Sequence, residues 1–318
     1  MQQKEYLVGV DIGGTKIAVG LLSVDGKIIK ETRIDTRGKD GPEIVVKRLV
    51  ETINSLSEDY EIRGIGVGVP GIVDTEKGII QYWSTFNWRN IPLAVMLNEY
   101  LDVKITVVND ASAATWGEFN FGAGRNTSNM VFMTISTGIG GGIIFERKLY
   151  AGSNMLAGEI GHVTVNPNGP KCNCGKNGCL EAYASGLSIQ RLTVEAIKNR
   201  SSILIEMERQ EKRPIDTKMV FAACEAGDLV AKEIIEQAAT YIGVGLANII
   251  HTLNPDCIVL GGGVMKSSAY FMKKIEEATQ LYILPSYQNT YEIRRSELFE
   301  DAALIGAAYL LLSLSENQ

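Results

Sequence analysis

Four residues with metal-binding side chains lie close together near the middle of the chain. They are spaced as H-x9-C-x-C-x4-C, and they are His162, Cys172, Cys174 and Cys179. Three thiols in so short a loop are poorly placed for paired disulfides, whereas three thiolates and one imidazole complete the tetrahedral shell of a zinc ion. That shell leaves no position open for water, so the spacing predicts a structural ion. A reduced loop without metal is the alternative.

Two carboxylates flank this cluster. Glu159 lies three residues before His162, and Glu181 lies two residues after Cys179. A metal that orders the loop would fix the backbone that carries both side chains. Carboxylates accept hydrogen bonds from vicinal hydroxyl groups, which are the principal polar groups of a sugar. The clustering therefore indicates a site for hydroxyl groups, although an isolated glutamate is more often a solvated surface charge.

A second pattern is a Gly-rich turn between two apolar strands. The first copy is Asp11-Ile12-Gly13-Gly14-Thr15-Lys16, and the second is Ser136-Thr137-Gly138-Ile139-Gly140-Gly141-Gly142. Adjacent glycines let the backbone turn tightly and direct amide groups at an anion, while Thr15 adds a hydroxyl and Lys16 a positive charge. We expect phosphate binding there, with Asp11 holding Mg²⁺ through water. For the first segment alone, an ordinary hairpin turn is the alternative.

A third candidate is the pair Asn109-Asp110, which follows the β-branched run Ile105–Val108. Open α/β sheets bind ligands at the carboxyl ends of their strands, and an aspartate there could accept a proton from a hydroxyl that attacks a phosphate. The competing interpretation is helix capping, because Asn and Asp are favoured N-caps and Ala111 begins a helix-forming segment. The local sequence by itself favours capping.

Neither of two common nucleotide-binding motifs is convincing in this sequence. No GxxxxGK[ST] segment occurs, which argues against a P-loop enzyme. A GxGxxG match at Gly66, Gly68 and Gly71 contains Pro70, and the residues after it do not open a helix. We interpret it as a chance match.

Strands alternate with helices along the chain, which predicts an α/β protein with largely buried sheets. Predicted strands cover 6–10, 17–22, 105–108, 130–135, 143–145 and 257–260. Predicted helices cover 42–56, 91–101, 111–119, 187–198, 217–225, 229–251, 264–278 and 302–314.

The repeated strand–turn–strand unit predicts a duplicated, two-lobed architecture in which each lobe presents one Gly-rich turn to a shared cleft. We place the small N-terminal lobe at residues 1–120 and the large lobe, with the cysteine loop, at 121–301. A closing helix at 302–316 is expected to pack back on the first lobe.

Composition excludes several classes of protein. The 318 residues carry a net charge of −6, and no Lys/Arg-rich run offers a footprint for nucleic acid. No signal-peptide core is present, and the longest apolar stretch, 302–314, falls short of the ~20 residues that span a bilayer. Five cysteines, three of them clustered, fit a reducing compartment. We therefore expect a soluble, cytoplasmic protein with no nucleic-acid or membrane partner.

Taken together, the motifs resemble those of the ROK sugar kinases, which belong to the actin-like ATPase superfamily. The resemblance covers nearly the whole chain and implies the two-lobed, ribonuclease H-like fold with a duplicated βαβ core. It rests on four segments: 11–16, 109–110, the stretch from 137–141 to 158–162, and the stretch from 172–175 to 179–181.

The resemblance also implies roles for matching residues. Asp110 would be the catalytic base, which reverses the capping preference, and His162 would bind both zinc and the sugar. The implied sugar contacts are Gly71, Asn87, Asn109, Asp110, Glu159, His162 and Glu181. Those expected to bind ATP and Mg²⁺ are Asp11, Gly13, Gly14, Thr15, Lys16, Thr137, Gly138, Gly261 and Gly262.

The activity so implied is transfer of the ATP γ-phosphoryl group to a sugar hydroxyl, usually the 6-hydroxyl. Glucose is the expected sugar, because Phe86-Asn87-Trp88 and the flanking carboxylates resemble those of bacterial glucokinases. Fructose, mannose and N-acetylhexosamines stay open. So does a non-catalytic sugar sensor or repressor, although the first Gly-rich turn lies too close to the start of the sequence for a preceding helix-turn-helix domain. A homodimer or homotetramer is expected from the family.

Overall fold

The structure is a computed structural model that describes residues 5–266 and 268–315. Strands and helices alternate along most of the chain, as the sequence predicted. The strands are β1 Tyr6–Ile12, β2 Lys16–Ser23, β3 Ile28–Asp35, β4 Ile62–Val69, β5 Ile72–Asp74, β6 Ile79–Trp83, β7 Trp88–Ile91, β8 Lys104–Asn109, β9 Met130–Ile135, β10 Ile139–Phe145, β11 Lys148–Leu149, β12 Cys257–Gly261 and β13 Glu292–Arg295. The helices are α1 Pro42–Ser57, α2 Leu93–Asn98, α3 Asp110–Phe121, α4 Glu181–Ala184, α5 Gly186–Ala196, α6 Ile203–Glu211, α7 Thr217–Glu225, α8 Leu229–Leu253, α9 Ala269–Tyr282 and α10 Ala302–Ser315.

Two five-stranded sheets share one topology. The first has the order β3-β2-β1-β4-β8, and the second has the order β11-β10-β9-β12-β13. In the first sheet β1 pairs antiparallel with β2 and parallel with β4, which pairs parallel with β8. In the second, β12 pairs parallel with both β9 and β13. The same order in both sheets is the duplication that the repeated turns predicted.

The chain forms two compact units. One unit consists of Met1–Ser128, Gly142–Gly158 and Glu297–Gln318, and the other consists of Asn129–Gly141 and Glu159–Ser296. The lobe boundary expected near residue 120 stays a prediction; the first unit of the structure continues to Ser128.

The core of the first unit lies on both faces of its sheet. On one face, the side chains of β1, β2 and β4 pack against the apolar stripe of α1, which includes Leu49 and Ile53. On the other face α10 packs against β1 and β2, where Leu304 and Ala308 are buried. The helix predicted for 302–316 is therefore present as α10, and residue 316 lies outside the described residues.

Glycines in the strands allow α10 to approach the sheet closely. An added Cβ on Gly66 of β4 would lie 1.8 Å from the carbonyl oxygen of Ala307, and one on Gly9 of β1 would lie 2.3 Å from that of Leu304. Neither strand could carry a side chain there without moving the helix backbone. The apolar–Gly alternation of β4 is thus a packing feature, and the GxGxxG match inside it has no nucleotide-binding helix after it, as expected.

Several predicted elements were wrong in position, and several short elements were not predicted. The helix predicted over 91–101 is only Leu93–Asn98, because Ile91 ends the strand β7. The helix predicted from 264 begins at Ala269, after a short 3₁₀ turn over Gly263–Lys266. The elements absent from the prediction are β3, β4, β5, β6, β7, β11, β13, α4 and α6. Within the described part of the chain, no helix is long and apolar enough to cross a membrane.

The close approach of α10 to β4 makes a prediction about stability. Gly66→Ala should lower the free energy of unfolding by about 3 kcal/mol, because the new methyl group meets a helix backbone that cannot yield locally. Gly68→Ala is the matched control, since an added Cβ at Gly68, on the same strand face, has its nearest neighbour at 3.6 Å. Urea unfolding of both variants measures the difference. Equal stabilities would refute the packing account.

Candidate active site

The first Gly-rich turn joins β1 to β2 and is closed by one backbone hydrogen bond. The Gly13 amide donates to the Lys16 carbonyl at 2.8 Å, while Gly14, Thr15 and Lys16 are exposed. The turn is therefore tight and faces solvent. The Lys16 ammonium group forms an ion pair with Asp35, so its charge is shared with a neighbouring carboxylate.

Strand register brings Asp11 close to Asp110. Asp11 pairs with Gly68 across β1 and β4, and Gly68 pairs with Val108 across β4 and β8, two residues before Asp110. Partial burial and the negative charge of Asp110 together raise the pKa of the Asp11 carboxyl group to about 7. The two carboxylates thus form a locally negative site at the carboxyl ends of parallel strands.

Asn109, and not Asp110, caps the following helix. Its side-chain oxygen accepts a hydrogen bond from the Ser112 amide at 3.0 Å, and its amide nitrogen donates to the Gly71 carbonyl at 3.1 Å. Asp110 is the first helical residue, and its carboxylate accepts from the Ala111 amide at 2.8 Å. Of the pair that the local sequence favoured for capping, Asn109 is therefore the N-cap, and its side chain also ties Gly71 to the site.

Gly71 and Asn87 adopt backbone conformations that suit a turn. Gly71 has a φ of +97°, and an added Cβ would lie 2.3 Å from the Tyr82 carbonyl oxygen. Asn87 has a φ of +53° and is exposed. The rings of Phe86 and Trp88, on either side of it, both pack edge-to-face against Trp83, with centroid distances of 4.7 and 5.2 Å. This aromatic cluster holds the Asn87 side chain at the surface of the first unit.

The second Gly-rich turn is shorter than the sequence predicted, because β10 begins at Ile139 and not at Ile143. It is held by different partners from the first. The Ile139 amide donates to the Glu181 carboxylate at 3.0 Å, and the Gly186 amide at the start of α5 donates to the Ser136 carbonyl at 2.8 Å. An added Cβ on Gly138 would lie 2.6 Å from the Glu181 carboxylate. Glu181 is therefore in contact with the turn that sequence analysis assigned to phosphate binding.

Gly261 and Gly262 lie beside this second turn. Gly261 pairs with Thr134 across β12 and β9. Gly262 has a φ of +87°, and an added Cβ would lie 2.4 Å from the Ile135 carbonyl oxygen. The strand that leads into Ser136 and Thr137 therefore approaches the glycines expected to face adenosine.

The four predicted metal ligands lie together. Their ligand atoms are all within 4.8 Å of one another, with 3.7 Å between the Cys172 Sγ and the His162 Nδ1 and 3.5 Å between the Cys174 and Cys179 sulfurs. Sulfurs bound to one tetrahedral zinc ion at about 2.3 Å lie about 3.8 Å apart. The separations of these donor atoms are therefore compatible with one shared cation.

Burial of the thiols also suits a cation. Desolvation raises the pKa of the Cys179 thiol to about 12, whereas a hydrogen bond with the Lys176 backbone lowers the pKa of the exposed Cys174. A buried thiol gives up its proton readily only when a positive charge replaces it.

The cluster touches both flanking carboxylates. The Nε2 of His162 lies 3.9 Å from the Glu159 carboxylate, on the opposite side of the ring from Cys172. Glu181 lies 3.9 Å from the Cys172 Sγ. The loop between these residues is closed by bridges of Thr164 with Cys179 and of Lys171 with Asn177. Both glutamates therefore lie against the cluster, and their ordering by a bound metal stays a prediction.

A cavity of about 660 Å³ adjoins this part of the second unit. Its lining includes Thr137, Gly138, Cys172, Glu181 and Ser185. The second turn, the cysteine loop and the N-terminus of α5 thus face a common space.

Some residues that support the site belong to no local sequence motif, so the sequence did not predict them. Thr36 donates to the Gly13 carbonyl in the first turn. Tyr183 stacks on Tyr241, with a centroid distance of 3.7 Å, and accepts a hydrogen bond from Asn166 at 2.9 Å. These last contacts fasten the cysteine loop to α8. No spacing in the sequence distinguishes such residues from other threonines and tyrosines.

Comparison with known proteins places the chain among related sequences. The model of the ROK family matches residues 7–313. A glucokinase of Thermotoga maritima is 40% identical over 97% of this chain and 98% of its own length. A xylose repressor of Bacillus spizizenii is 30% identical over 96% of this chain and 77% of its own.

A solved structure extends the comparison to the fold. The ROK family glucokinase of Streptomyces griseus, in complex with glucose and AMPPNP, superposes with a TM-score of 0.84 at 31% identity, covering 96% of this chain and 98% of that one. The predicted actin-like ATPase fold is confirmed.

The raised pKa of Asp11 makes a prediction about the pH dependence of stability. Because the folded protein holds a proton on Asp11 that the unfolded chain releases above pH 4, the free energy of unfolding loses this contribution as pH rises from about 4 to about 7. Asp11→Asn should therefore stabilise the protein by roughly 2–4 kcal/mol at pH 8 and very little at pH 4.

Urea unfolding in buffer without Mg²⁺ at several pH values measures this difference. Asp102→Asn, at an exposed position, is the control and should follow the wild type across the same range. A gain in stability at Asp11→Asn that is independent of pH would contradict the electrostatic origin.

Proposed function

The chain belongs to the ROK family, and we propose that it is an ATP-dependent hexose kinase that phosphorylates glucose at the 6-hydroxyl. The observation that carries the proposal is the gathering of the predicted ligands around the two Gly-rich turns. One group surrounds Asp11 and Asp110, and the other surrounds Thr137 and Glu181. The high identity to a glucokinase over nearly the full length of both chains supports the same activity.

In the proposed reaction, Asp110 accepts the proton of the sugar 6-hydroxyl as its oxygen attacks the γ-phosphorus. The bond from that phosphorus to the bridging oxygen of ADP breaks in line, and ADP leaves. Asp110 suits the role because the Ala111 amide orients its carboxylate while Asn109 satisfies the helix N-terminus. A base held in this way needs no rearrangement to meet its substrate.

Asp11 is the proposed holder of Mg²⁺. Its carboxylate is partly buried beside Asp110, and its raised pKa shows that the negative charge is poorly compensated in the protein alone. A hard cation bound through water would offset this repulsion, and Mg²⁺ supplies charge neutralisation of the phosphates when bound. The proposed phosphate ligands are the first turn, Gly13, Gly14, Thr15 and Lys16, and two residues of the second turn, Thr137 and Gly138.

Sugar hydroxyls are the proposed ligands of Glu159, His162 and Glu181, together with Gly71, Asn87 and Asn109. Zinc is the proposed ion of the cysteine cluster, because three sulfurs and one imidazole nitrogen are its preferred closed shell. Zinc on the Nδ1 of His162 would leave Nε2 for the sugar, so the metal orients a substrate ligand.

A sugar-responsive regulator is the second candidate function, because a xylose repressor is 30% identical to this chain. A sensor of that kind would bind sugar without turning over ATP. Fructose, mannose or an N-acetylhexosamine are alternative substrates within the kinase proposal. Homodimers or homotetramers, in a reducing cytoplasm, are our proposals for assembly and location.

One assay distinguishes these candidates. Release of ADP is measured with ATP, Mg²⁺ and each sugar of a panel that contains glucose, fructose, mannose, N-acetylmannosamine and N-acetylglucosamine. Glucose should give the highest kcat/KM. If the protein binds a sugar but releases ADP with no member of the panel, the result would favour the sensor and overturn the kinase proposal.

Asp110→Asn tests the base. The variant should lose at least about 100-fold in kcat, because the amide cannot accept the hydroxyl proton, while the Kd for glucose changes by less than about threefold. Quenching of the fluorescence of Trp83 and Trp88, which pack beside Asn87, offers the binding measurement. Undiminished turnover would remove Asp110 from the mechanism, and Asp102→Asn should behave as wild type.

Metal analysis tests the cysteine cluster. Protein purified without chelator should contain about one zinc ion per chain, and Cys174→Ser should lose it. The same variant should melt roughly 5 °C lower or more and bind glucose more weakly, because the loop carries Glu181. Cys224→Ser, outside the cluster, is the control. Wild-type protein that contains no zinc would refute the site.

A further inference from the structure

The first Gly-rich turn is held from behind by a threonine that belongs to neither β1 nor β2. Thr36 is fully buried and follows directly after β3. Its hydroxyl donates to the Gly13 carbonyl at 2.7 Å, and its backbone amide donates to the Thr15 carbonyl at 2.9 Å. One residue therefore binds two carbonyl groups of the turn.

Thr36 is itself fixed in place. Its neighbour Asp35 pairs with Lys16 across β3 and β2. Arg48 of α1 donates to the carbonyls of Asp35 at 2.8 Å and of Thr36 at 3.3 Å. The hydroxyl thus projects from a backbone that the sheet and α1 both hold, which limits its movement relative to the turn.

This arrangement determines where the amides of the turn point. In a planar trans peptide the carbonyl and the following N–H point in opposite directions. Because Thr36 binds the carbonyls of Gly13 and Thr15, the N–H groups of Gly14 and Lys16 are directed to the other side. Gly14, Thr15 and Lys16 are exposed, so an anion can approach the turn.

We propose that Thr36 is a positioning residue for the nucleotide, whose hydroxyl orients the Gly13–Gly14 peptide so that its amide meets a phosphate group of ATP. The inference rests on the proposed kinase function and names a residue behind the phosphate site. Thr36 does not touch the nucleotide. Its contribution is to hold the amide direction before the phosphate arrives, so that binding requires no reorientation of the turn.

Three variants test the proposal. Thr36→Val keeps the shape and the backbone amide but removes the hydroxyl, and it should raise the KM for ATP about tenfold while the KM for glucose stays within about twofold. Thr36→Ser restores the hydroxyl and should return the KM for ATP to within about threefold of wild type. Thr279→Val is the control, because Thr279 is also fully buried and donates to a backbone carbonyl at 2.8 Å, but in α9.

Inhibition by two probes separates phosphate positioning from a general loss of structure. Inorganic tripolyphosphate carries only the phosphate chain, and adenosine carries only the rest of the nucleotide. Thr36→Val should weaken competition by tripolyphosphate about tenfold and leave that by adenosine unchanged, since only the phosphates meet the turn.

The outcomes distinguish the two levels of inference. If wild-type protein releases no ADP with any sugar, the proposed function fails. If wild-type protein is a kinase but Thr36→Val matches Thr279→Val in the KM for ATP, the positioning role is refuted. Equal weakening of tripolyphosphate, adenosine and glucose would also refute it, because that pattern describes a loosened fold.

Discussion

Burial of the Asp11 carboxyl group beside a second carboxylate, that of Asp110, is the constraint on which the first half of the site depends. The register of β1, β4 and β8 brings Asp11 close to Asp110. Burial of Asp11, together with the negative charge of Asp110, raises the pKa of the Asp11 carboxyl group to about 7. The fold tolerates this unfavourable interaction because packing far from it determines the register of the strands. That packing is between the sheet and α1 on one face, and between the strand glycines and α10 on the other. A positive charge near Asp11 would stabilise its ionised form, which is why Asp11 is our proposed holder of Mg²⁺.

The two Gly-rich turns have the same place in duplicated sheets but different supports. The first is held by a hydroxyl and an amide of Thr36, which are neutral and lie behind the turn. The second is held by the carboxylate of Glu181, which also lies beside the metal-ligand cluster. The second turn is therefore linked to the cysteine loop and to the proposed sugar ligands, whereas the first is linked to α1 through Arg48. The two sheets share one strand order, and the side chains around each turn give it a separate connection.

Local spacing predicted those parts of the site in which all partners are close in sequence. The cysteine cluster could be predicted because His162 and three cysteines fall within eighteen consecutive residues, and the loop can close only by bringing them together. The assignment at Asn109-Asp110 could not be made from spacing, since either side chain can cap a helix. Its resolution depends on the Asn109 contact with Gly71, a residue thirty-eight positions earlier. Thr36 had no signal, because its partner Gly13 is twenty-three positions away.

The sequence alone determined the α/β class, the repeated strand–turn–strand unit, the long helices and the grouping of His162 with three cysteines, because hydrophobic periodicity, glycine pairs and short side-chain spacings act within a few residues. Only the tertiary structure decided that Asn109 is the cap, that α10 meets β4 at a glycine, and that Thr36 and Glu181 support the two turns. These features arise from contacts between segments distant in the chain, and their side chains are of common types whose role depends on what the fold places beside them.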